Sequence, residues 1–154
     1  ISASADFNCN VDSLPFEDGS VEFIYASHIL EHFDRKSVSS VLSEWYRVLK
    51  RGGALRLAVP DFHACAEEYI ENRNIAELVG LICGGQRDPY DFHKMVFDES
   101  SLSTLLLSVG FCDVKRWDWR QTSHASTDDY SQAYLPHLDK KNGRLMSLNL
   151  EAKK

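Results

Sequence analysis

The sequence predicts an α/β protein, an open sheet flanked by helices that ends in a hairpin. Three observations carry this. "VEFIYA" (21–26) is β-branched and aromatic, and apolar at both parities apart from Glu22, as in a central strand of a covered parallel sheet. "DRKSVSSVLSEWYRVLKRGG" follows, with Val38, Val41, Leu42, Trp45, Tyr46 and Leu49 on one helical face. "ALRLAVP" (54–60) is a second buried strand. Strand, helix and strand make a βαβ unit, which is nearly always right-handed and parallel.

The elements fall in order. "ADFNCN" reads as a short strand, and "LPFEDGS" as a turn. Asp34 can cap the first helix, Lys50 and Arg51 suit its last turn, and Gly52 or Gly53 stops it. Asp61 can cap a helix over 62–72 with Ala66, Tyr69 and Ile70 inside, and a second short helix covers 74–83. "FDESSLSTLLLSVGF" has Asp98 as cap, Leu102, Leu105, Leu106 and Val109 as stripe, and Gly110 as stop. "CDVKRWDW" and "RLMSLNLEA" are two final strands. The polar stretch 119–143 between them predicts a disordered segment or a flap.

Composition narrows the classes. The 154 residues fit a single domain, 1–154, and 44 % hydrophobic content supplies one core. A net charge of −6 argues against a nucleic-acid partner and against a polybasic membrane anchor. Cys9, Cys65, Cys83 and Cys112 form no CxxC pair, so neither a zinc site nor a disulfide framework is expected and no metal is assigned. Cys65, Cys83 and Cys112 read as core thiols of a soluble cytoplasmic protein.

Two longer stretches then carry a resemblance. "LPFEDGSVEFIYASHILEHF" followed by "EWYRVLKRGGALRLAVPD" resembles the class I S-adenosylmethionine-dependent methyltransferases over residues 5–61. "GGQRDPYDFHKMVFDE", "LLLSVGF" and "SLNLEA" resemble a subgroup of methyltransferases linked to polysaccharide biosynthesis. The resemblance implies a Rossmann-like, mostly parallel sheet with a C-terminal antiparallel hairpin. It also implies S-adenosylmethionine as cofactor and O-methylation of a sugar, glycan or other small polar acceptor.

The same resemblance implies positions. Asn10 would meet the adenine amino group, with Val11 beside the ring and Leu14 lining its slot. Ala26, Ser27 and His28 would lie under the methionine part, outside the carboxyl end of a strand. His28 is also a candidate catalytic residue, and its bland alternative is a helix-start histidine packed on the sheet. His32 and Glu31 read as packing or loop-holding residues. Asp61 is either a helix cap or a substrate-orienting carboxylate.

Methyl transfer to a hydroxyl needs a base, and histidine suits this near neutral pH. "GGQRDPYDFHK" (84–94) supplies His93 as candidate base, with Asp91 or Asp88 to orient it. Gln86 and Tyr90 would hold polar groups of the acceptor, and Gly84 and Gly85 would let the backbone approach a ligand. The bland alternative is a polar turn in which His93 and Asp91 satisfy backbone groups.

No glycine-rich phosphate- or cofactor-cradling loop precedes residue 10. Roughly 30–40 residues of the family pattern, the first strand-helix-strand unit, are missing from this sequence. A fragment of a longer product is the favoured explanation, over a part supplied by another chain or a degenerate relative. The edge of "VEFIYA" should then be bare, which predicts a homodimer through that edge or displacement of residues 1–12. Beside the enzyme stand a non-catalytic methyltransferase-like module that binds a partner and, more remotely, another nucleotide-binding α/β enzyme.

Overall fold

The computed structural model describes residues 7–154. Its main sheet has four strands, β1 (Val21–Ser27), β2 (Leu49–Pro60), β3 (Cys112–Arg116) and β6 (Ser147–Lys153), in the order β1-β2-β6-β3. A separate two-stranded ribbon joins β4 (Tyr134–Leu135) to β5 (Arg144–Leu145). β1 and β2 run parallel, and β6 runs antiparallel between β2 and β3. The parallel unit and the closing antiparallel hairpin are the architecture expected.

α1 (Val38–Val48) and α4 (Glu99–Val109) cover one face of this sheet. Leu42, Trp45, Leu55, Leu57, Leu102, Leu106 and Leu150, each at most 2 % exposed, interdigitate there. α4 keeps its expected punctuation: the Asp98 carboxylate accepts the Ser101 amide at 2.8 Å, and Gly110 ends the helix in the left-handed region. A smaller core of Ala64, Cys65, Leu78 and Met146 lies between α2 (Phe62–Asn72), α3 (Val79–Cys83) and the ribbon.

Several expectations are corrected. Phe7–Asn10 form no strand, and the start of "ADFNCN" lies outside the described residues. Residues 7–10 pair with no strand, and Val11 just after them is tethered to α1, where the Trp45 indole donates to the Val11 carbonyl at 2.7 Å. β1 is an edge strand among the described residues, with Phe23 47 % exposed. α1 stops at Val48, because fully buried Leu49 already pairs with Val21. Lys50–Gly53 bulge out before the register resumes at Ala54, opposite Phe23. Asp34 caps the turn that leads into α1, accepting the amides of Lys36 and Ser37, rather than the helix itself.

α2 buries Ala64, Cys65 and Glu68, not Ala66, Tyr69 and Ile70. Ala64 and Cys65 pack there against Leu78 and Met146, and Arg144 on β5 pairs with Glu68 at 3.0 Å beside them. The short helix expected over 74–83 is split into a 3-10 turn (Ile75–Glu77) and α3. Cys112 is exposed, because its strand lies at the other sheet edge.

The stretch 119–143 is packed rather than a flap. Trp119, Ser131 and Gln132 are buried. Asn149 of β6 donates to the Ser131 carbonyl at 2.9 Å, and Gln132 donates to the Thr127 carbonyl at 2.8 Å. Arg120 lies over the Trp119 ring and donates to the Tyr134 hydroxyl at 2.9 Å.

Candidate active site

β1 ends where its side chains leave the sheet. The His28 amide still donates to Ala58 at 2.8 Å, but its φ of 51° turns the chain out of the ladder. A non-glycine residue there carries strain of about 1–2 kcal/mol, so His28 is held by its surroundings. Its Nε2 lies 3.2 Å from Ser147 Oγ, its Nδ1 3.3 Å from a Glu31 carboxylate oxygen, and its ring tilts against Tyr130. It is a turn residue bridging β1 to β6, not the start of a helix.

The 84–94 loop folds on itself. The Gln86 amide donates to the Asp91 carbonyl at 2.8 Å, and the Asp91 amide to the Asp88 carbonyl at 3.1 Å. Gly84 (φ 80°) is needed because a Cβ would press on the Asp91 carbonyl, and one at Gly85 would press on the Asp91 carboxylate. The loop's own packing therefore accounts for both glycines. Asp91 accepts from Arg87 Nε at 2.8 Å, which holds its carboxyl below the usual range.

His93 is oriented differently from expectation. Neither Asp91 nor Asp88 reaches its ring; its Nδ1 lies 2.9 Å from the Leu81 carbonyl. A carbonyl only accepts, so Nδ1 carries the proton and Nε2 keeps its lone pair. Burial holds the His93 pKa below the ordinary histidine value, against the weaker opposite pull of the Leu81 carbonyl and Glu31. The ring is therefore neutral at pH 7 and able to accept a proton at Nε2.

His28, Asp91 and His93 line one cleft of about 620 Å³. Its far wall comes from 128–138, through Asp128, Asp129, Tyr130, Tyr134 and His137. Asp129 also accepts the Tyr25 hydroxyl at 2.6 Å, fixing the wall to β1. Burial, then the Asp129 carboxylate, raise the Tyr25 pKa. These wall residues escaped the sequence reading. Their one sequence signal is a run of Asp, Tyr, Gln and His similar in type to 84–94.

The other candidates are placed elsewhere. Tyr90 is 87 % exposed, and the Gln86 side-chain amide turns to the Cys83 carbonyl; neither lines the cleft. Asp61 caps α2 by accepting the His63 amide at 3.0 Å, with Arg116 at 3.6 Å, so the capping reading describes it. Asn10, Val11 and Leu14 run beside α1, where the Leu14 amide donates to Glu44 at 2.7 Å. Val11 and Leu14 pack against the main core, and Asn10 is exposed. Ala26 is buried in that core, and Ser27 presents a buried hydroxyl without a partner. The donor-side candidates therefore meet the cleft only through His28.

Comparison with known proteins bears on the fold. A family model described as a methyltransferase domain matches residues 3–57, less than half of the chain. A search of the curated proteins found no match. Among solved structures, a SAM-dependent methyltransferase from Thermotoga maritima superposes with a TM-score of 0.56 at 18 % identity, over 95 % of this chain and 62 % of its own. One from Methanosarcina mazei gives 0.54 at 21 % identity, over 94 % and 64 %. The 1,6-didemethyltoxoflavin-N1-methyltransferase of Burkholderia thailandensis, solved with its substrate and S-adenosylhomocysteine, gives 0.54 at 14 %, over 95 % and 48 %. The chain thus spans under two thirds of the length of these structures. Its α/β sheet, with β6 inserted antiparallel between β2 and β3, has the Rossmann-like fold of SAM-dependent methyltransferases.

Proposed function

We infer that the chain is part of an S-adenosylmethionine-dependent methyltransferase acting on an oxygen of a sugar, glycan or related small polar acceptor. The observation that carries this reading is the meeting of two histidines in one cleft. His28 stands at the carboxyl end of a parallel strand, and His93 faces it with a free Nε2.

Asn10, Val11 and Leu14 would bound the adenine, and Ala26, Ser27 and His28 the methionine part. When bound, S-adenosylmethionine would supply a sulfonium methyl to the acceptor oxygen, the electron pair of the broken carbon–sulfur bond staying on sulfur. The acceptor proton passes to His93 Nε2. Alignment of donor and acceptor supplies most of the acceleration, and proton removal contributes about 10²–10⁴-fold. Asp91 acts through the loop it ties together. In this reading the polar groups of the 128–138 wall, which line the cleft, would hold the acceptor's hydroxyls in place of Gln86 and Tyr90.

Calorimetric titration with S-adenosylmethionine tests the cofactor assignment. Micromolar binding is expected. No heat at millimolar ligand, from protein with a folded circular dichroism spectrum, would favour a partner-binding module of the same fold or a fragment without its full donor site. Pairing of the β1 edges, which carry no neighbouring strand among the described residues, further predicts a homodimer, and a monomeric mass by analytical ultracentrifugation at micromolar protein would exclude it.

A further inference from the structure

Glu31 is fully buried, and neither of its carboxylate oxygens has a hydrogen-bond partner. A bare carboxylate in such a place is strongly disfavoured unless a cation accompanies it. Imidazoles stand around it. His28 Nδ1 is 3.3 Å and His93 Nε2 3.8 Å from the same oxygen, and the His32 ring stands edge-on to His93 with its Nδ1 buried and unpartnered. Glu31, His32 and His93 each offer a donor atom, and these atoms lie within 4.8 Å of one another.

The tautomer sharpens the problem. With Nδ1 donating to Leu81, the His93 Nε2 lone pair faces the Glu31 carboxylate, and two electron-rich groups oppose each other. A metal cation between the donors relieves this opposition.

We propose that Glu31, His32 and His93 bind a divalent first-row transition ion of the zinc type, opening onto the cleft. Two imidazoles and one carboxylate with a vacant position are a donor set such ions take. The Leu81 carbonyl on His93 Nδ1 is the outer contact that commonly orients a ligating histidine. The scaffold is stiff, because the amides of Lys94 and Met95 both donate to the Glu31 carbonyl, at 2.8 and 3.1 Å, binding the two halves of the site together. Bonds of about 2.0–2.2 Å to a tetrahedral ion would draw the donors to roughly 3.3–3.5 Å apart. An ion here occupies the nitrogen assigned to proton transfer, so metal-loaded protein loses His93 as a base.

The test needs no cofactor, so its outcome is independent of the methyl-transfer reading. Chelator-treated protein is titrated with zinc and, separately, with cobalt(II). One equivalent retained per chain after desalting and a visible cobalt d–d spectrum are expected. Glu31→Gln, His32→Ala and His93→Ala should each weaken zinc binding at least tenfold. His63→Ala, at an exposed histidine paired with Glu67, should not change it. No retained metal and no cobalt spectrum in the unaltered protein overturns the proposal. So does uptake that persists in folded Glu31→Gln and His32→Ala protein. Should those variants fail to fold, the cobalt spectrum of the unaltered protein decides.

Discussion

Trp45→Ala is expected to lower the unfolding free energy by about 3–5 kcal/mol, the usual cost of emptying a buried aromatic site. Trp45 is 2 % exposed within the main core, and its indole N–H is bonded to the Val11 carbonyl. Two effects therefore coincide, a cavity beneath the sheet and the freeing of the Val11 carbonyl, while Leu14 stays bonded to Glu44. Trp45→Phe separates them. It keeps most of the packing and loses mainly the hydrogen bond, about 0.5–1.5 kcal/mol. Denaturant unfolding followed by circular dichroism measures both. An alanine variant within about 1 kcal/mol of the parent would mean that Trp45 does not anchor this core. Release of Val11 should also weaken S-adenosylmethionine binding, and in Trp45→Phe by less than in Trp45→Ala.

His93→Ala is expected to reduce kcat for methyl transfer by about 10²–10⁴-fold while leaving cofactor affinity unchanged. The expectation rests on a neutral, buried imidazole whose Nε2 is free and whose Nδ1 is fixed by Leu81. Asp91→Asn should act otherwise. It weakens the pairing with Arg87 that closes the loop, so its effect falls on acceptor KM more than on kcat. Steady-state kinetics in chelating buffer, with cofactor affinity measured by calorimetry, separates the two. Unchanged turnover in folded His93→Ala protein would remove His93 from the chemistry.

The elements that were legible in the sequence are those fixed by local chemistry. α4 carries an acidic cap, a leucine stripe and a terminal glycine, and each does what its residue type permits. The βαβ unit shows in the apolar strands and the Val38–Leu49 periodicity. Elsewhere distant partners decide. α2 buries Ala64 and Cys65 because Leu78 and Met146 meet them from later in the chain, and Arg144 pairs with Glu68 on the same side. The 119–143 stretch looks unstructured because its order comes from Asn149, Tyr25 and its own buried Gln132. The site divides in the same way. His28 and His93 drew notice by type and position. Glu31 passed for a loop residue, because nothing local tells that its carboxylate is sealed among imidazoles. Tyr90 and Gln86 had the right chemistry, but the turn that Asp88 and Asp91 build points them away from the cleft.

The position of β6 governs how this molecule can assemble. The last strand in the chain lies second from one edge of the sheet, pairing with β2 along Ala54–Pro60 and with β3 on its other side. On the ribosome, β2 can collect β1 and α1 early, but its other edge must wait until residues 147–153 emerge. Until then a row of unpaired amides and carbonyls beside Leu55, Leu57 and Val59 is open to any passing strand. The nascent chain is thus most exposed to misassociation between the emergence of β2 and that of β6. Closure of the sheet and construction of the 128–138 wall, which hangs from Asn149, become one late and slow event.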